Sequence, residues 1–248
     1  DKFKLDTFKA KDGVTYQYAS YKPEGGSKTL VVWLHGLGEG GTENTDPYVT
    51  LLANKAAVLG DESFQSTIGG ANVLVPQCPT YWMDNDGKMT NFTGGGIQAD
   101  GTSHYLESLH ELISKYKEET GSTKVVIAGC SNGGYMTVNM IITYPDYFAA
   151  AVPICETYAY HEYARNADGT YKARDIEVSA GGENSAVSKF EETKKLWVTK
   201  EKIQKMKKTP VWFIASADDG IVTPQKFSLP TYRDLLKAVS YTHLRAHE

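Results

Sequence analysis

The chain has 248 residues, 41% of them hydrophobic, and a formal net charge of -4 at pH 7. This length and composition allow one substantial core, so we expect a single α/β domain with an insertion. The weak acidic balance gives no electrostatic basis for binding nucleic acid or an anionic membrane surface, so neither partner is expected. The longest apolar runs are of strand length, so no membrane span is predicted.

The first residue is Asp1 instead of a methionine, and the N-terminal residues lack the apolar core of a signal peptide. Removal of an upstream signal peptide and trimming of a fragment would both leave this start. A secreted or periplasmic protein is one interpretation, and a cytoplasmic protein is the other.

The chain opens with two predicted strands, 3–8 and 15–21, which are joined by a turn as an antiparallel hairpin. Apolar runs then alternate with helical segments, which indicates a mostly parallel sheet between layers of helices, with functional loops at the carboxyl ends of its strands. The further predicted strands are 30–34, 72–76, 124–128, 148–153 and 211–215. The predicted helices are 47–59, 102–117, 134–143 and 200–207, with a helix-like segment at 231–238.

Residues 156–199 differ from the rest of the chain, because they are polar, bear several tyrosines and have no clear periodicity. They lie between two predicted core strands. We therefore expect a cap-like insertion above the carboxyl edge of the sheet.

The most specific motif is the pentapeptide Gly-Cys-Ser-Asn-Gly at 129–133, which has the pattern G-x-S-x-G. It follows a β-branched apolar run and precedes a helical segment. That order is typical of a nucleophile elbow, in which a strained turn exposes a serine hydroxyl and flanking side chains would collide. Ser131 is therefore the candidate nucleophile, and an incidental glycine-rich turn is the alternative.

A serine nucleophile needs a base for its proton and donors for the oxyanion that forms. The predicted strand 30–34 runs into His-Gly-Leu-Gly at 35–38, where glycines let the backbone approach a ligand. We expect the backbone amides of Leu37 and Asn132 to form an oxyanion hole. His35 ends a buried strand, and we interpret it as a structural residue that bonds to nearby backbone.

A carboxylate follows the predicted strand 211–215, where the chain reads Ser-Ala-Asp-Asp-Gly-Ile-Val at 216–222. A triad acid belongs just beyond a strand end and, in the chain order of this motif, after the serine. Asp219 is the first candidate and Asp218 the second. The alternative for either residue is turn capping, a common role of aspartate in such loops.

The loop at 35–38, the elbow and the loop that contains Asp219 together resemble the α/β-hydrolase superfamily. Residues 130–136 and the segment Pro-Thr-Tyr-Trp-Met-Asp at 79–84 further resemble bacterial carboxylesterases of the feruloyl-esterase and prolyl-oligopeptidase-like group. The resemblance implies a serine carboxylester hydrolase that acts through an acyl-enzyme on small or polysaccharide-linked esters of the acetyl or hydroxycinnamoyl type. A peptidase that acts on small peptides is the enzymatic alternative.

Enzymes of this group end with a further strand and a loop that carries the catalytic histidine, and the sequence departs from that pattern. A last strand at 239–244 would contain His243, which is the candidate base, and His247 is the alternative. Residues 240–248 look like a translated cloning adapter that follows a truncated gene. A catalytically incomplete hydrolase-fold module without its base is therefore the hypothesis from another functional class.

Aromatic residues beyond the predicted strand ends are candidates for a substrate pocket. Tyr81 and Trp82 follow the strand at 72–76, and Glu156 follows the strand at 148–153 as a candidate polar contact to substrate. Core packing is the alternative for the aromatic side chains. The insertion adds further candidates, Tyr158, Tyr160, Tyr163 and Tyr171.

No cofactor is expected, because the sequence has no phosphate-binding loop of the P-loop or dinucleotide type. No metal is expected either, because its cysteines and histidines lack the spacing of a metal site. The three cysteines, Cys78, Cys130 and Cys155, are interpreted as buried thiols at strand ends.

Overall fold

The protein is described from a computed structural model that covers residues 2–41, 45–93, 96–173 and 190–245, without the side chains of Thr93 and of residues 240–245. Two 3-10 turns, Leu37–Glu39 and Ala53–Gly60, accompany the helices and strands. Those elements are, in chain order, β1 (Lys4–Lys9), β2 (Thr15–Tyr21), β3 (Thr29–Leu34), α1 (Val49–Leu52), α2 (Glu62–Ile68), β4 (Asn72–Gln77), β5 (Phe92–Thr93), β6 (Gly96–Ile97), α3 (Leu106–Thr120), β7 (Lys124–Cys130), α4 (Asn132–Thr143), β8 (Ala150–Ile154), β9 (His161–Tyr163), β10 (Glu192–Leu196), α5 (Lys200–Met206) and α6 (Ser228–Arg245).

The central sheet has six strands in the order β1-β2-β4-β3-β7-β8. β2 pairs antiparallel with β1 and β4, whereas β3 pairs parallel with β4 and β7, and β7 pairs parallel with β8. Parallel bridges at Val211 and Ile214 place the segment 211–214 beside β8. The predicted antiparallel start and mostly parallel sheet are therefore confirmed.

The strands in the middle of the sheet are buried because helices cover both faces. All six residues of β4 are buried, which matches the continuous apolar sequence of a strand inside a parallel sheet. α4 is buried from Asn132 to Ile142, because it lies across β7 and β8 and also contacts α3 and α5. The residue that starts α4 is thus held by packing on several sides.

Two predicted elements before β4 differ from the structure. The single helix expected over 47–59 is instead α1 and a 3-10 turn, because Asn54 and Lys55 adopt positive φ values of 54° and 55° that interrupt the helix. α2 was not predicted. Its seven residues end at Gly69 in the left-handed conformation, the usual glycine signal for a helix end.

The last strand predicted at 239–244 is wrong, because α6 continues through these residues to Arg245. Val239 and the residues after it have β-branched and aromatic side chains, which favoured a strand. However, no glycine or proline follows Pro230 to end the helix, and Pro230 itself lies in the first turn, where proline is tolerated. Among the described residues, no strand follows the segment 211–214.

The insertion contains a two-stranded antiparallel sheet of β9 and β10. Its aromatic side chains contact one another: the Tyr163 ring lies 5.1 Å from the Phe190 ring and 4.6 Å from the Trp197 ring, and the Tyr171 ring lies 5.0 Å from the Phe190 ring. Tyr158 and Tyr163 are buried. Tyr163 and Tyr171 therefore form a small aromatic core of the insertion, whereas the Tyr158 ring stacks on that of Tyr135 in α4 and Tyr160 OH donates to Asp234 Oδ2.

None of the helices in the described ranges has both the length and the apolar character that a bilayer span requires.

Candidate active site

Ser131 occupies the turn between β7 and α4, so the predicted order of strand, turn and helix is present. Its backbone has φ 53° and ψ -113°, a conformation that costs free energy for any residue with a Cβ. Strained positions of this kind persist only where the surrounding structure determines them. The strain at Ser131 is the backbone signature expected of a nucleophile elbow.

The glycines around Ser131 are needed because α4 meets the strand ends at backbone distance. A Cβ at Gly133 would lie 2.0 Å from the carbonyl oxygen of Leu34, at the end of β3. A Cβ at Gly129 would lie 2.6 Å from the carbonyl carbon of Gly133, and one at Gly134 would lie 2.8 Å from Cα of Glu156. The predicted steric reason for the two motif glycines is confirmed, and Gly134 extends it.

Hydrogen bonds fix the backbone of Ser131 on both sides. Its N–H donates to the carbonyl of Ile154 at 2.9 Å, and its carbonyl accepts from the N–H of Tyr135 at 2.9 Å and from Thr157 Oγ1 at 3.3 Å. Thr157 Oγ1 also lies 3.4 Å from Met83 Sδ. The strained turn is therefore held by β8, by α4 and by the residues that follow β8.

His35 is a buried structural residue, as the sequence predicts. The N–H of Cys78 donates to His35 Nε2 at 2.9 Å, so Nε2 is the acceptor and Nδ1 carries the proton that it shares with the Gly36 carbonyl at 2.6 Å. Burial lowers the pKa of His35 to about 4, although the bond to Gly36 opposes that shift. The ring is therefore neutral at pH 7 and joins the end of β3 to the end of β4.

The two amides predicted to bind an oxyanion both lie in the first turn of a helix. Leu37 begins a 3-10 turn and Asn132 begins α4, and such amides have no acceptor within their own helix. Among the described residues, none accepts a hydrogen bond from either amide. A Cβ at Gly36 would lie 3.7 Å from Cys130 Sγ, so the loop that carries Leu37 lies next to the elbow.

Trp82 connects the first residue of α4 with the loop that follows β3. Its backbone N–H donates to Asn132 Oδ1 at 2.6 Å, and its indole Nε1 donates to the carbonyl of His35 at 3.2 Å. This connection is not predictable from the sequence, because nothing in the local pattern indicates a bond between residues 50 positions apart. Trp82 is 0% exposed and its ring lies 5.2 Å from that of His35, so its contacts are those of a core side chain.

Tyr81 and Glu156, the other two residues predicted to bind substrate, are also buried. Tyr81 OH donates to Asn91 Oδ1 at 2.6 Å. Glu156 Oε2 accepts from the N–H of Tyr158 at 2.6 Å, while Oε1 has no partner among the described residues. Burial raises the pKa of Glu156 to about 8. The structure places none of the three predicted substrate residues on an open surface, so their role in binding stays a prediction.

The strand ends bring Ser131 and the loop at 216–222 to the same edge of the sheet. The N–H of Ser131 donates to the carbonyl of Ile154 in β8. The N–H of Cys155, which follows Ile154, donates to the carbonyl of Ile214 at 2.7 Å. The half-buried Cys155 thiol interacts electrostatically with Asp219, and its pKa is raised chiefly by burial. All three cysteines are free. Cys78 and Cys130 are buried, as predicted, and Cys155 is only partly buried.

Asp219 and Asp218 differ in environment. Asp219 is partly buried, and its Oδ1 accepts from the N–H groups of Ile221 at 2.9 Å and Val222 at 2.8 Å. Asp218 is exposed and accepts a hydrogen bond from Ser216 Oγ, which lowers the pKa of its carboxyl. Asp219 therefore caps its own loop with Oδ1, and none of the residues that the structure describes bonds to its Oδ2.

The structure does not bring His243 to Ser131. α6 runs back along the segment 211–215: its first turns lie near Ala217, whereas Val239 lies near Lys207 at the amino end of that segment. His243 lies one turn beyond Val239, so α6 carries it toward the amino ends of the parallel strands, whereas Ser131 lies at their carboxyl ends.

The remaining histidines do not supply a base among the residues that the structure describes. The rings of His104, His110 and His161 contact tyrosines, and none contacts Ser131 or Asp219. His247 lies outside the described residues. The described part of the chain also holds no group of three metal-ligating side chains.

Solved structures with the same fold include hydrolases of two kinds. A thermostable esterase matches with a TM-score of 0.64 and 24% identity over 97% of this chain and 52% of its own length. A ferulic acid esterase matches with a TM-score of 0.55 and 13% identity over 97% of this chain and 86% of its own length. The acylaminoacyl peptidase of Pyrococcus horikoshii matches with a TM-score of 0.53 and 16% identity over 96% of this chain and 35% of its own length. This chain therefore spans about half the length of the thermostable esterase.

These likenesses establish the α/β-hydrolase fold that the sequence predicts. Among curated protein sequences, none matches this chain. The sequence pattern of the prolyl oligopeptidase family matches residues 100–240, which is more than half of the chain and includes the elbow, the insertion and the loop of Asp219. The chain therefore belongs to the prolyl oligopeptidase family.

Proposed function

We propose that the protein is a serine carboxylester hydrolase in which Ser131 is the nucleophile. One observation carries this proposal: Ser131 has a strained backbone in the turn before α4, and no described residue accepts a hydrogen bond from the amide of Asn132, which follows it, or from that of Leu37 in the neighbouring loop. Ser131 Oγ attacks the ester carbonyl, and the oxygen that becomes negative accepts hydrogen bonds from the two amides. The positive end of the α4 dipole adds to this stabilisation.

Asp219 serves as the acid that orients the catalytic base. Its loop lies at the same sheet edge as Ser131, and its capping bonds hold the carboxylate in place. A histidine accepts the proton of Ser131 Oγ and returns it to the leaving alcohol, after which water hydrolyses the acyl-enzyme. His243 does not fill this role in the described fold, so His247 stays as the candidate within this chain.

The substrates proposed are small or polysaccharide-linked esters with acetyl or hydroxycinnamoyl acyl groups. The sequence resemblance to carboxylesterases supports this class, and so does the likeness of fold to a ferulic acid esterase. Membership of the prolyl oligopeptidase family and the likeness to an acylaminoacyl peptidase support the alternative of a peptidase.

A catalytically incomplete hydrolase-fold module is the second candidate, and the course of α6 favours it. α6 occupies the residues that were predicted to form the last strand, and it directs His243 away from Ser131. In this form the oxyanion site would bind carbonyl compounds without turning them over.

One assay separates the three functions. The folded chain is given p-nitrophenyl acetate, methyl ferulate and an N-acetylated alanine p-nitroanilide, with Ser131→Ala as the control. The proposal expects hydrolysis of both esters, no cleavage of the anilide and no turnover by Ser131→Ala. Preferential cleavage of the anilide would support the peptidase instead. No turnover of any substrate by the folded wild type would support the incomplete module.

A further inference from the structure

Residues 155–158, which follow β8, form a strap against the elbow. Cys155 has a φ of 38°, in the left-handed region that a residue with a Cβ seldom adopts. Its N–H donates to the carbonyl of Ile214 at 2.7 Å, and the carbonyl of the preceding residue, Ile154, accepts from the N–H of Ser131. Strained backbone of this kind persists only where the surrounding structure determines it. The strap and the elbow are therefore two strained turns that hydrogen bonds hold side by side.

The strap fixes the carbonyl group of Ser131. Thr157 is buried, and its Oγ1 donates to this carbonyl oxygen at 3.3 Å. The carbonyl of Ser131 and the N–H of Asn132 belong to one planar peptide group, so a bond to the carbonyl also sets the direction of the N–H. Thr157 therefore helps to aim the Asn132 amide, which is one of the two proposed oxyanion donors.

Glu156 closes the turn that contains Thr157. Its Oε2 accepts from the N–H of Tyr158 at 2.6 Å, across the intervening residue. Its backbone packs on the first turn of α4, because a Cβ at Gly134 would lie 2.8 Å from Cα of Glu156 and 2.9 Å from its Cβ. Glu156 is only 1% exposed. It thus ties the strap, and with it the Thr157 hydroxyl, to the helix that begins at the elbow.

The described residues around the Glu156 carboxyl supply no compensating charge. α4, which packs against it, and β8, which precedes it, contain no charged residue. The titratable groups that interact with it are the Cys155 thiol and the Tyr158 and Tyr163 hydroxyls, and burial raises the pKa of each, so all three are neutral at pH 8. Burial raises the pKa of Glu156 itself to about 8. A carboxylate formed there would be buried and unpaired, which is costly.

We propose that Glu156 is a positioning residue: in its protonated form it holds the strap closed, so that Thr157 aims the Asn132 amide at the oxyanion. This inference rests on the proposed function, since it concerns a donor that catalysis by Ser131 would use. Loss of the carboxyl proton to solvent places a buried charge beside the elbow and releases the strap. The reactivity of Ser131 then has an upper pH limit set by a residue that is not part of the triad.

The rate at which a fluorophosphonate labels Ser131, followed by intact mass from pH 6.5 to pH 9.5, tests the proposal. The matched variant is Glu156→Gln, whose amide is neutral at every pH and keeps an oxygen for the N–H of Tyr158. The ratio of the variant's rate to the wild-type rate should rise about tenfold across this range, because only the wild type acquires the buried charge. Every other titrating group is common to both proteins, so the ratio isolates the effect of Glu156.

Thr157→Val tests the step between the strap and Ser131, because valine has the shape of threonine without the hydroxyl. Labelling should slow about fivefold at pH 7, the cost of one hydrogen bond. Thr209→Val is the matched control, since Thr209 is also buried and its Oγ1 donates to the carbonyl of Pro145 at 3.3 Å. The control should lose a similar amount of stability in urea and keep the wild-type labelling rate. Equal labelling rates in the two variants would overturn the role of Thr157.

Amide hydrogen exchange of the peptide 129–136 gives a readout that does not need a reactive serine. Corrected for the intrinsic exchange rate, its protection should fall between pH 6.5 and pH 9.5 in the wild type and persist in Glu156→Gln. The proposal is overturned if both proteins show the same pH dependence of exchange, or if the labelling ratio stays constant. A folded wild type that is never labelled would contradict the proposed function, and the exchange would still decide the role of Glu156.

Discussion

The backbone N–H of Trp82 donates to Asn132 Oδ1 at 2.6 Å, so the loop after β4 is tied to the residue that follows Ser131. This bond is buried, and Trp82 also reaches the carbonyl of His35 with its indole. The elbow, the loop at 35–38 and the loop after β4 are therefore one hydrogen-bonded unit. Changes in this unit should act on the reactivity of Ser131 as well as on folding.

We expect Asn132→Ala to lower the unfolding free energy by about 1–3 kcal/mol, because the buried N–H of Trp82 loses its acceptor. It should also slow the reaction of Ser131 with a fluorophosphonate, because the first turn of α4 is no longer fixed. Asn139→Ala is the control on the same helix, since Asn139 Nδ2 donates to the carbonyl of Gly101 at 2.6 Å. Equal slowing in both variants would show that only general stability is involved.

Gly133→Ala should prevent folding or leave the protein insoluble, since the new Cβ would lie 2.0 Å from the Leu34 carbonyl oxygen. A relief of that clash requires α4 to move away from β3. Gly38→Ala serves for comparison, because a Cβ at Gly38 would have no atom within 4 Å. The thermal midpoint of this variant should stay near that of wild type. A Gly133→Ala protein with a wild-type thermal midpoint would disprove this packing argument.

Asp219→Asn should lower the rate of p-nitrophenyl acetate hydrolysis by about 10³-fold or more, as loss of a triad carboxylate does. The amide keeps an oxygen for the N–H groups of Ile221 and Val222, so the thermal midpoint should change little. Asp218→Asn should keep the wild-type rate, because its carboxylate is exposed and bonds to Ser216. The opposite ranking of the two variants would assign the triad acid to Asp218.

Glu156 should make the protein less stable as the pH rises. Its pKa is raised to about 8 in the folded state from 4.5, so the folded protein binds more protons than the unfolded chain between these values. The unfolding free energy should therefore fall progressively from about pH 4.5 to pH 8. Glu156→Gln should flatten this dependence in urea denaturation at pH 5, 6.5 and 8. A slope unchanged by the substitution would assign the dependence to another group.

The sequence predicted the parts of the fold that local pattern determines. β2 and β4 lie within a residue of their predicted bounds, because apolar runs with turn residues at their ends define strands. The elbow was predictable as well, because its glycines are required by backbone contacts that any such turn makes. The structural role of His35, whose ring bonds to nearby backbone, was predictable from its position at the end of a buried strand.

Features set by distant contacts were not predictable. The bond between Trp82 and Asn132 joins separate loops, and its geometry depends on how β4 and β7 are placed in the sheet. The continuation of α6 through His243 depends on a helix that has already started, whereas the local residues favour a strand. Glu156 looked like a polar residue at an open edge, and only the packing of α4 against β8 shows that it is buried.

Intact-mass analysis after treatment with a fluorophosphonate tests most directly whether Ser131 is an activated nucleophile. The folded wild type should gain one covalent adduct, and Ser131→Ala should gain none. His243→Ala should be labelled at the wild-type rate, because α6 carries this residue away from the elbow. A folded wild type that gains no adduct, or an adduct that persists in Ser131→Ala, would contradict the assignment of Ser131.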